Sequence, residues 1–273
     1  MFGIYKRWRR RKVTERPFPD EWREIVEDNV AMLGVLTADE RAELEKLILV
    51  FLDEKTFEGG ADLHVTDEMK VTIASQACFM LLHRDTDVYP KLDSIVIHPT
   101  AYKAKHVESL GQGVVIEGEQ VRLGESWHDG LVVLAWDAVK TGTRDASDGR
   151  NVVLHEFAHQ LDQEDGVADG APILPDTTSR KTWAAVLGDD YAELRDHVHV
   201  GRRADIDAYG ATNPAEFFAV VTEMFFEQGT RLRANRPDLY AQYAGFYQQD
   251  PASWKLSPRL SRKERRANAR RKR

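Results

Sequence analysis

The chain has 273 residues, of which 42% are hydrophobic and 30% charged, and its formal net charge is −7. This composition excludes collagen-like and wholly disordered proteins, and no stretch approaches the roughly 18 apolar residues of a membrane span. Cys78 is the single cysteine, so an intrachain disulfide cannot form and a cytoplasmic location is expected.

Both ends of the chain are basic, whereas the region between them is acidic. Residues 1–12 contain six lysines and arginines and no acid, and residues 255–273 contain ten against one acid, which leaves the rest of the chain at −22. Such charge runs are typical of solvated, mobile tails, with contact to nucleic acid or an anionic membrane surface as the alternative. We therefore expect flexible basic tails over 1–19 and 252–273.

The first part of the chain after the basic segment is predicted to be helical. Helical periodicity runs from Asp20 to Leu36, and Thr37 with Glu40 has the form of a capping box that opens a second helix. A third helix is expected over Asp67–His83, after the Gly59-Gly60 pair.

The pattern changes to short β-rich runs after Pro90 and returns to helices near Asn151. The predicted strands are 94–97, 113–116 and 131–136, and the predicted helices are 151–163, 178–198, 214–227 and 236–248. This order favours an α+β fold with a small mixed sheet. We expect a single domain over 20–251, made of a helical part (20–90) and a second part (91–251) that holds the sheet and the later helices.

The predicted helix near Asn151 contains the motif His-Glu-x-x-His. Residues i and i+4 share a helix face, so His155 and His159 can present two imidazoles to one metal ion, with Glu156 beside them. A different face carries an apolar stripe, made of Leu154, Phe157, Ala158 and Leu161. The pattern indicates a helix with a buried face and a ligand face, although histidines that only cap or hydrogen bond are the alternative.

A catalytic zinc site takes three protein ligands and leaves one position for water. Downstream, Asn213 is a good N-cap and Pro214 suits the first helical position, which places Glu216 in the first turn. Glu223 follows on the same face, in an apolar run where an unpaired carboxylate would be costly. One of these carboxylates is expected to bind metal and the other to orient a histidine. Spacing does not choose between them, and Glu216 could instead close a capping box with Asn213.

Two further residues are candidates on chemical grounds. Asp162 shares the face of His155 and is a candidate acceptor for the second ring N–H of a ligating histidine, or makes a plain surface or capping contact. Tyr209 lies just before the Glu216 helix and is a candidate donor to an oxyanion, with a core tyrosine as the alternative.

Longer stretches extend these short motifs. They are His155–Asp162, Ile206–Val220 and Phe246–Pro251, with Gly124–Trp127 and Gly130–Leu134 upstream. From about residue 20 to residue 251, the chain resembles the Mlc titration factor A family of zinc metallopeptidases.

The resemblance implies a role for each matching residue. His155 and His159 correspond to zinc ligands, Glu156 to the general base, Glu216 to the third ligand and Tyr209 to a tyrosine that supports the transition state. It also implies one zinc ion per chain, a zincin-like core similar to the anthrax lethal factor peptidase domain, and aminopeptidase activity. Members of the family bind a transcriptional repressor of glucose uptake, and the basic tails are not part of the family pattern.

These residues predict hydrolysis of a peptide or protein substrate by a zinc-activated water. Glu156 would move the water proton to the leaving amine, and Tyr209 would hydrogen bond the oxyanion. By analogy with metallopeptidases built on such a helix, the strand near 131–136 is expected to pair with an extended peptide. The alternative is a zinc-containing protein that sequesters a transcriptional regulator with little or no peptidase activity. Nucleic-acid contact by the basic tails has no support from the motifs.

Overall fold

The computed structural model describes residues 2–109, 115–122, 124–127 and 130–254, with side chains described outside 2–3, 102–122 and 125–127. Within these ranges the chain forms ten α-helices and six β-strands, which confirms the α+β fold class. None of the described helices is both long enough and apolar enough to cross a bilayer.

Four helices form most of the N-terminal part of the chain, and a short strand over Thr56–Gly59, which the expected helical part did not include, lies between the third and the fourth. The helices are α1 (Phe2–Thr14), α2 (Asp20–Asn29), α3 (Ala38–Glu54) and α4 (Asp67–Phe79). The helix predicted to run to Leu36 ends at Asn29, because Val30 adopts an extended conformation and a 3-10 turn follows it.

The predicted capping box at the start of α3 is confirmed. Thr37 Oγ1 accepts the backbone N–H of Glu40 at 3.3 Å, and Glu40 Oε2 accepts the backbone N–H of Thr37 at 2.7 Å. Two orphan N–H groups at the helix start are satisfied in this way.

The basic N-terminal segment, for which we expected a flexible tail, is α1 and lies against α3. Lys6 Nζ lies 2.8 Å from Asp87 Oδ2, and Arg9 Nε lies 2.7 Å from Asp53 Oδ2. Arg10 pairs with both Glu54 and Asp87, and Val13 is buried in the core. Acidic residues far along the chain therefore hold one side of the helix. The sequence of residues 1–19 by itself cannot predict these contacts.

The C-terminal basic segment lies outside the described residues from position 255 onward. Just before it, the ring of Trp254 packs against Phe79 and Phe226 at centroid distances of 5.5 and 6.3 Å. Ala252 and Trp254, which were expected to belong to the flexible tail, pack against the core.

The main sheet has four strands in the order β1-β2-β6-β5. The strands β1 (Thr56–Gly59), β2 (Ser94–His98) and β6 (Leu131–Ala135) are parallel, and β5 (Gly124–Trp127) runs antiparallel to β6. A separate hairpin pairs β3 (Tyr102–Ser109) with β4 (Val115–Arg122). The strand predicted over 113–116 overlaps β4 at its last two residues, and residues 113–114 lie outside the described ranges.

The expectation that the strand near 131–136 pairs with a substrate is wrong. Strand β6 ends at Ala135 and is bonded to β2 on one side and to β5 on the other, so both of its edges are occupied. In the described sheet, β5 is the edge strand on the side of the metal-motif helix. Strand order, which spacing along the chain cannot reveal, decides this point.

Six helices follow the sheet, and they include the four that were predicted. They are α5 (Trp136–Arg144), α6 (Val152–Asp162), α7 (Thr177–His199), α8 (Pro214–Glu227), α9 (Gly229–Asn235) and α10 (Pro237–Tyr247). Helix α6 packs against α8, and an aromatic cluster beneath them joins Phe218 and Phe225 of α8 to Tyr243 of α10 at 5.6 and 5.9 Å between ring centroids. This core fixes the two helices that carry the candidate ligands.

Candidate metal centre

Helix α6 presents the two motif histidines on one face. Asn151 caps the helix, because its Oδ1 accepts the backbone N–H groups of Val153 and Leu154. The rings of His155 and His159 lie 4.9 Å apart between centroids. The predicted apolar stripe on the other face is buried, with every member at most 1% exposed: Leu154, Phe157, Ala158 and Leu161.

Helix α8 brings Glu216 to the same point. Its Oε2 lies 3.0 Å from His155 Nε2 and 3.5 Å from His159 Nε2. Asn213 Oδ1 accepts the backbone N–H of Glu216 at 2.9 Å, so the predicted N-cap is present. The Glu216 carboxylate faces the histidines instead of completing a capping box with Asn213. The capping interpretation of its side chain is therefore not the one that the structure adopts.

Glu223, two turns further along α8, lies behind His155. The Nδ1 of His155 is 2.7 Å from Glu223 Oε1, and the second carboxylate oxygen accepts the backbone N–H of Asn151. An imidazole that donates through Nδ1 keeps its Nε2 lone pair for a ligand. The geometry thus separates the two carboxylates that spacing left equivalent, with Glu216 beside both histidines and Glu223 holding one of them.

The three side chains fit a metal ion. One ligand atom from each of His155, His159 and Glu216 lies within 4.8 Å of the others, and this is the one such group found among the described residues. Two imidazole nitrogens and a carboxylate oxygen suit zinc and similar divalent transition metals. The donor set and its convergence are what a metal centre requires.

Electrostatics also favour a cation at this point. Burial alone would lower the pKa of His155, but its hydrogen bonds to Glu216 and Glu223 raise the pKa well above the usual value. Burial would raise the pKa of Glu216, yet hydrogen bonds from both histidines hold it well below its usual range. The two carboxylates therefore favour a positive charge at this point, which a metal ion held by these side chains would supply.

Glu156 is buried beside the ligands, with 5% of its surface exposed. Burial raises its pKa to about 7, although the neighbouring His155 and His159 act in the opposite direction. Strand β5 passes directly over it, since a Cβ built at Gly124 would lie 2.4 Å from Glu156 Oε1 and 2.7 Å from its Cγ. Glycine at position 124 is what lets the strand approach this carboxylate so closely.

Tyr209 lies on a 3-10 turn (Ala208–Ala211) next to the site. Its side chain is 55% exposed, so the alternative of a core tyrosine is wrong, and its ring lies 5.9 Å from that of His155 between centroids. Asp207 caps the turn by accepting the backbone N–H of Tyr209 at 3.0 Å. The same carboxylate pairs with Arg150, next to the N-cap of α6, at 2.8 Å. This pairing ties the turn to the start of the motif helix.

Asp162 does not have the contact proposed for it. It is fully buried, its Oδ2 accepts the backbone N–H of Gly170 at 3.0 Å, and its Oδ1 has no hydrogen-bond partner among the described residues. Burial raises its pKa to about 6, against the opposing hydrogen bond from Gly170. Asp162 therefore anchors the loop after α6 and orients neither histidine.

Glu227 is a buried carboxylate that the sequence analysis missed. Its Oε2 accepts the backbone N–H groups of Gly149 and Arg150, both at 3.1 Å, and its Oε1 accepts Asn151 Nδ2 at 3.0 Å. With Glu216 and Glu223 it completes a row on one face of α8, spaced by seven and four residues. That helical spacing was the available signal. Two members of the row, Glu223 and Glu227, accept hydrogen bonds from residues 149–151, where α6 begins.

Glu227 should make the stability of the protein depend on pH. Burial raises its pKa to about 8 against the opposing hydrogen bond from Asn151, and the nearby charge of Asp148 acts in the same direction as burial. The folded state then binds this proton more tightly than the unfolded chain does. The free energy of unfolding should therefore fall as pH rises from about 4.5 to about 8, by up to about 4 kcal/mol.

The Glu227→Gln variant removes this titration. The difference in unfolding free energy between variant and parent, measured by urea denaturation, should shift in favour of the variant as the pH is raised across that interval. Glu21→Gln, at an exposed position of α2, is the control and should show no such trend. A Glu227→Gln difference that is constant between pH 4.5 and pH 8 would contradict the prediction.

The family of the chain follows from comparison with known proteins. The family model described as "Glucose-regulated metallo-peptidase M90" matches residues 5–248. An uncharacterized protein of Synechocystis sp. is 39% identical over 245 residues, which cover 89% of each chain. Mlc titration factor A of Serratia proteamaculans is 34% identical over 232 residues, covering 82% of this chain and 87% of the relative.

Another Mlc titration factor A is similar to the chain over nearly the same extent. Mlc titration factor A of Klebsiella pneumoniae is 32% identical over 225 residues, covering 81% of this chain and 84% of the relative. The matched region contains α6 and α8 with all three candidate ligands. The chain therefore belongs to the glucose-regulated metallo-peptidase M90 family, together with the Mlc titration factors A.

Proposed function

We propose that the chain is a zinc-dependent metallopeptidase of the cytoplasm with aminopeptidase-like activity. The observation that carries this proposal is the convergence of His155 Nε2, His159 Nε2 and Glu216 Oε2 beside the buried Glu156. Two histidines and one glutamate are a ligand set of catalytic zinc, which keeps a position for water. When bound, one zinc ion per chain would lower the pKa of a water toward about 7 and polarise the scissile carbonyl.

Glu156 is the proposed general base. Its pKa of about 7 suits a group that takes a proton from the attacking water and gives it to the leaving amine at neutral pH. Strand β5 confines this carboxylate next to the ligands, because its first residue, Gly124, lies directly against Glu156. Glu223 supports the reaction indirectly, since its bond to His155 Nδ1 keeps Nε2 of that ring directed toward Glu216.

Tyr209 is the proposed donor to the oxyanion. The Tyr209→Phe substitution should lower kcat by about 100-fold, because it removes one hydrogen bond made to the developing charge, and should leave metal content unchanged. Steady-state kinetics and elemental analysis of the same preparation measure both quantities. The matched control is Tyr191→Phe, which removes a hydroxyl that makes only a 3.5 Å contact with the Ala211 carbonyl. An unchanged kcat in Tyr209→Phe would remove Tyr209 from the mechanism.

The edge strand β5 is the proposed binding surface for the substrate backbone. It is paired with β6 on one side only in the described sheet, and its first residue, Gly124, lies against Glu156. An extended peptide that adds to this edge would pass over the candidate centre through main-chain hydrogen bonds. Gly124 would then set the position of the bound peptide relative to Glu156, because it belongs to the strand that binds the peptide and also contacts the base.

The Gly124→Ala variant tests this arrangement. The added Cβ would meet Glu156 at 2.4 Å, so the carboxylate or the strand must move, and kcat/KM should fall at least tenfold with metal content unchanged. Gly188→Ala is the control, because a Cβ at that position of α7 meets nothing within 4 Å. If Gly124→Ala retained full activity, the close approach of β5 to Glu156 would have no catalytic role.

A second function is supported by the names of the relatives. Several are Mlc titration factors A, and we propose that this chain also binds a transcriptional repressor of glucose uptake. A protein whose only role was such binding would have no use for a buried carboxylate adjoining a metal ligand. The position of Glu156 therefore favours the enzyme as the primary function, with repressor binding beside it.

Metal analysis combined with a peptide-library cleavage assay tests the proposal. We expect about one zinc ion per chain and release of residues from peptide N-termini by the wild-type protein. A zinc-loaded protein that cleaves no peptide in the library would instead support the binding function. Binding of candidate repressors by the same preparation, measured by calorimetry, separates the two functions.

A further inference from the structure

Helix α1 has two faces with different surroundings. The inner face makes the ion pairs and the core contact already described. The outer face exposes three large apolar side chains, Ile4 at 78%, Tyr5 at 63% and Trp8 at 56%. At 100° per residue these three positions fall within one third of the helix circumference, on the side opposite Val13. They form a continuous patch, which we call the outer face of α1.

Basic side chains flank this apolar patch. Arg7, Arg11 and Lys12 are all exposed and lie on or beside the same side of the helix. Glu15 is the acid nearest to them in the chain, and it pairs with Arg11 at 3.1 Å and Lys12 at 3.5 Å. The outer face keeps a positive charge after this pairing, whereas the region from residue 13 to residue 254 is strongly negative.

The inner contacts keep the outer face turned toward solvent. Lys6, Arg9 and Arg10 are bonded to carboxylates at the end of α3 and at Asp87. A rotation of α1 that buried Trp8 would break these pairs and expose Val13. The patch is thus presented outward by the fold, and exposed apolar groups rimmed by charge mark interaction sites.

We propose that the outer face of α1 binds an anionic lipid surface. Aromatic and aliphatic side chains beside several lysines and arginines are the composition of helices that lie in the membrane interface. Ile4 and Trp8 would enter the boundary between headgroups and acyl chains, and Arg7, Arg11 and Lys12 would reach the lipid phosphates. The acidic remainder of the chain would orient the molecule with α1 toward the surface.

Other occupants fit the outer face less well. A second copy of α1 would bring the like charges of Arg7, Arg11 and Lys12 together across the contact, which opposes self-association through this face. Single-stranded nucleic acid binds through aromatic rings that stack on bases, and an exposed aliphatic side chain such as Ile4 adds nothing to that mode of binding. The mixture of Ile4 with aromatic rings suits acyl chains better than bases.

Vesicle flotation of the full-length chain tests the proposal. Vesicles of phosphatidylcholine with about 30% phosphatidylglycerol should carry the protein, and vesicles of phosphatidylcholine alone should carry at least tenfold less. The Ile4→Ser/Tyr5→Ser/Trp8→Ser variant should lose at least tenfold in partitioning, and Arg7→Gln/Arg11→Gln/Lys12→Gln about 100-fold. Both variants keep the inner ion pairs, so circular dichroism and thermal unfolding should match the wild type.

Two matched variants show where the binding originates. Val198→Ser/Val200→Ser removes exposed apolar groups elsewhere on the surface and should leave flotation unchanged. A second variant lowers the charge of the C-terminal segment through Arg262→Gln/Lys263→Gln/Arg265→Gln/Arg266→Gln. In this background, the protein with wild-type α1 should still float on anionic vesicles more than the protein with the three serine substitutions in α1.

Three results would overturn the proposal. The first is the absence of wild-type flotation on the anionic vesicles, and the second is equal flotation of the serine variant and the wild type. The third is binding that depends on α1 for a DNA oligonucleotide but not for vesicles, which would make the outer face of α1 a nucleic-acid surface.

Discussion

The Glu156→Gln variant is expected to keep its metal and to lose peptide hydrolysis, with kcat reduced by about 10²- to 10⁴-fold. Glutamine has nearly the volume of glutamate, so it fits the buried space under Gly124, but it cannot take a proton from water. The ligand atoms belong to other residues, His155, His159 and Glu216, and their geometry does not depend on a charge at position 156. Single-turnover kinetics with elemental analysis of the same sample measure both quantities.

The stability of this variant separates a chemical effect from misfolding. Burial raises the pKa of Glu156 to about 7, which means that the fold disfavours its charged form. A neutral glutamine should therefore leave the melting temperature unchanged or raise it.

Glu164→Gln provides the matched control for this experiment. Glu164 lies on the turn that follows α6, where its Oε1 is buried and has no hydrogen-bond partner among the described residues. The control should be as stable as the parent and fully active. Full activity in Glu156→Gln itself would refute the proposed hydrolytic mechanism.

The parts of the site that could be predicted are those encoded by one helix at a time. His155 and His159 share a face because they are four residues apart, and Asn213 caps α8 because its side chain reaches a backbone N–H within the next turn. The buried stripe of α6 follows from the same period. Such features depend on neighbours in sequence, and for this reason the four helices predicted after the sheet are all present.

The parts that could not be predicted depend on partners far apart in the chain. Glu227 reaches across 76 residues to Asn151, and Arg10 reaches across 44 to Glu54, so no local pattern identifies either contact. The basic composition of the N-terminal segment led to the expectation of a flexible tail. The acids that hold this segment as a helix belong to α3 and to the segment after α4. The edge position of β5 likewise depends on sheet order, which links strands separated by whole helices.

The same distinction makes Glu216 and Glu223 the most informative pair to substitute. They lie on one face of α8, and sequence spacing treats them alike, whereas the structure gives them different contacts. Glu216→Gln should lose most of its bound metal on dialysis, because it replaces an anionic ligand by a neutral amide at the point where both histidines converge. Glu223→Gln should retain the metal with an affinity lowered about 10- to 100-fold, since it weakens only the bond that orients His155.

Competition with a chelator gives the two metal affinities, and thermal unfolding with and without added zinc provides an independent measure. A ligand that binds the folded state raises the melting temperature in proportion to its binding free energy. Added zinc should therefore stabilise Glu223→Gln and have little effect on Glu216→Gln. The reverse order would make Glu223 the ligand and Glu216 the orienting carboxylate. It would require His155 to bind metal through Nδ1, the nitrogen that lies 2.7 Å from Glu223 in this structure.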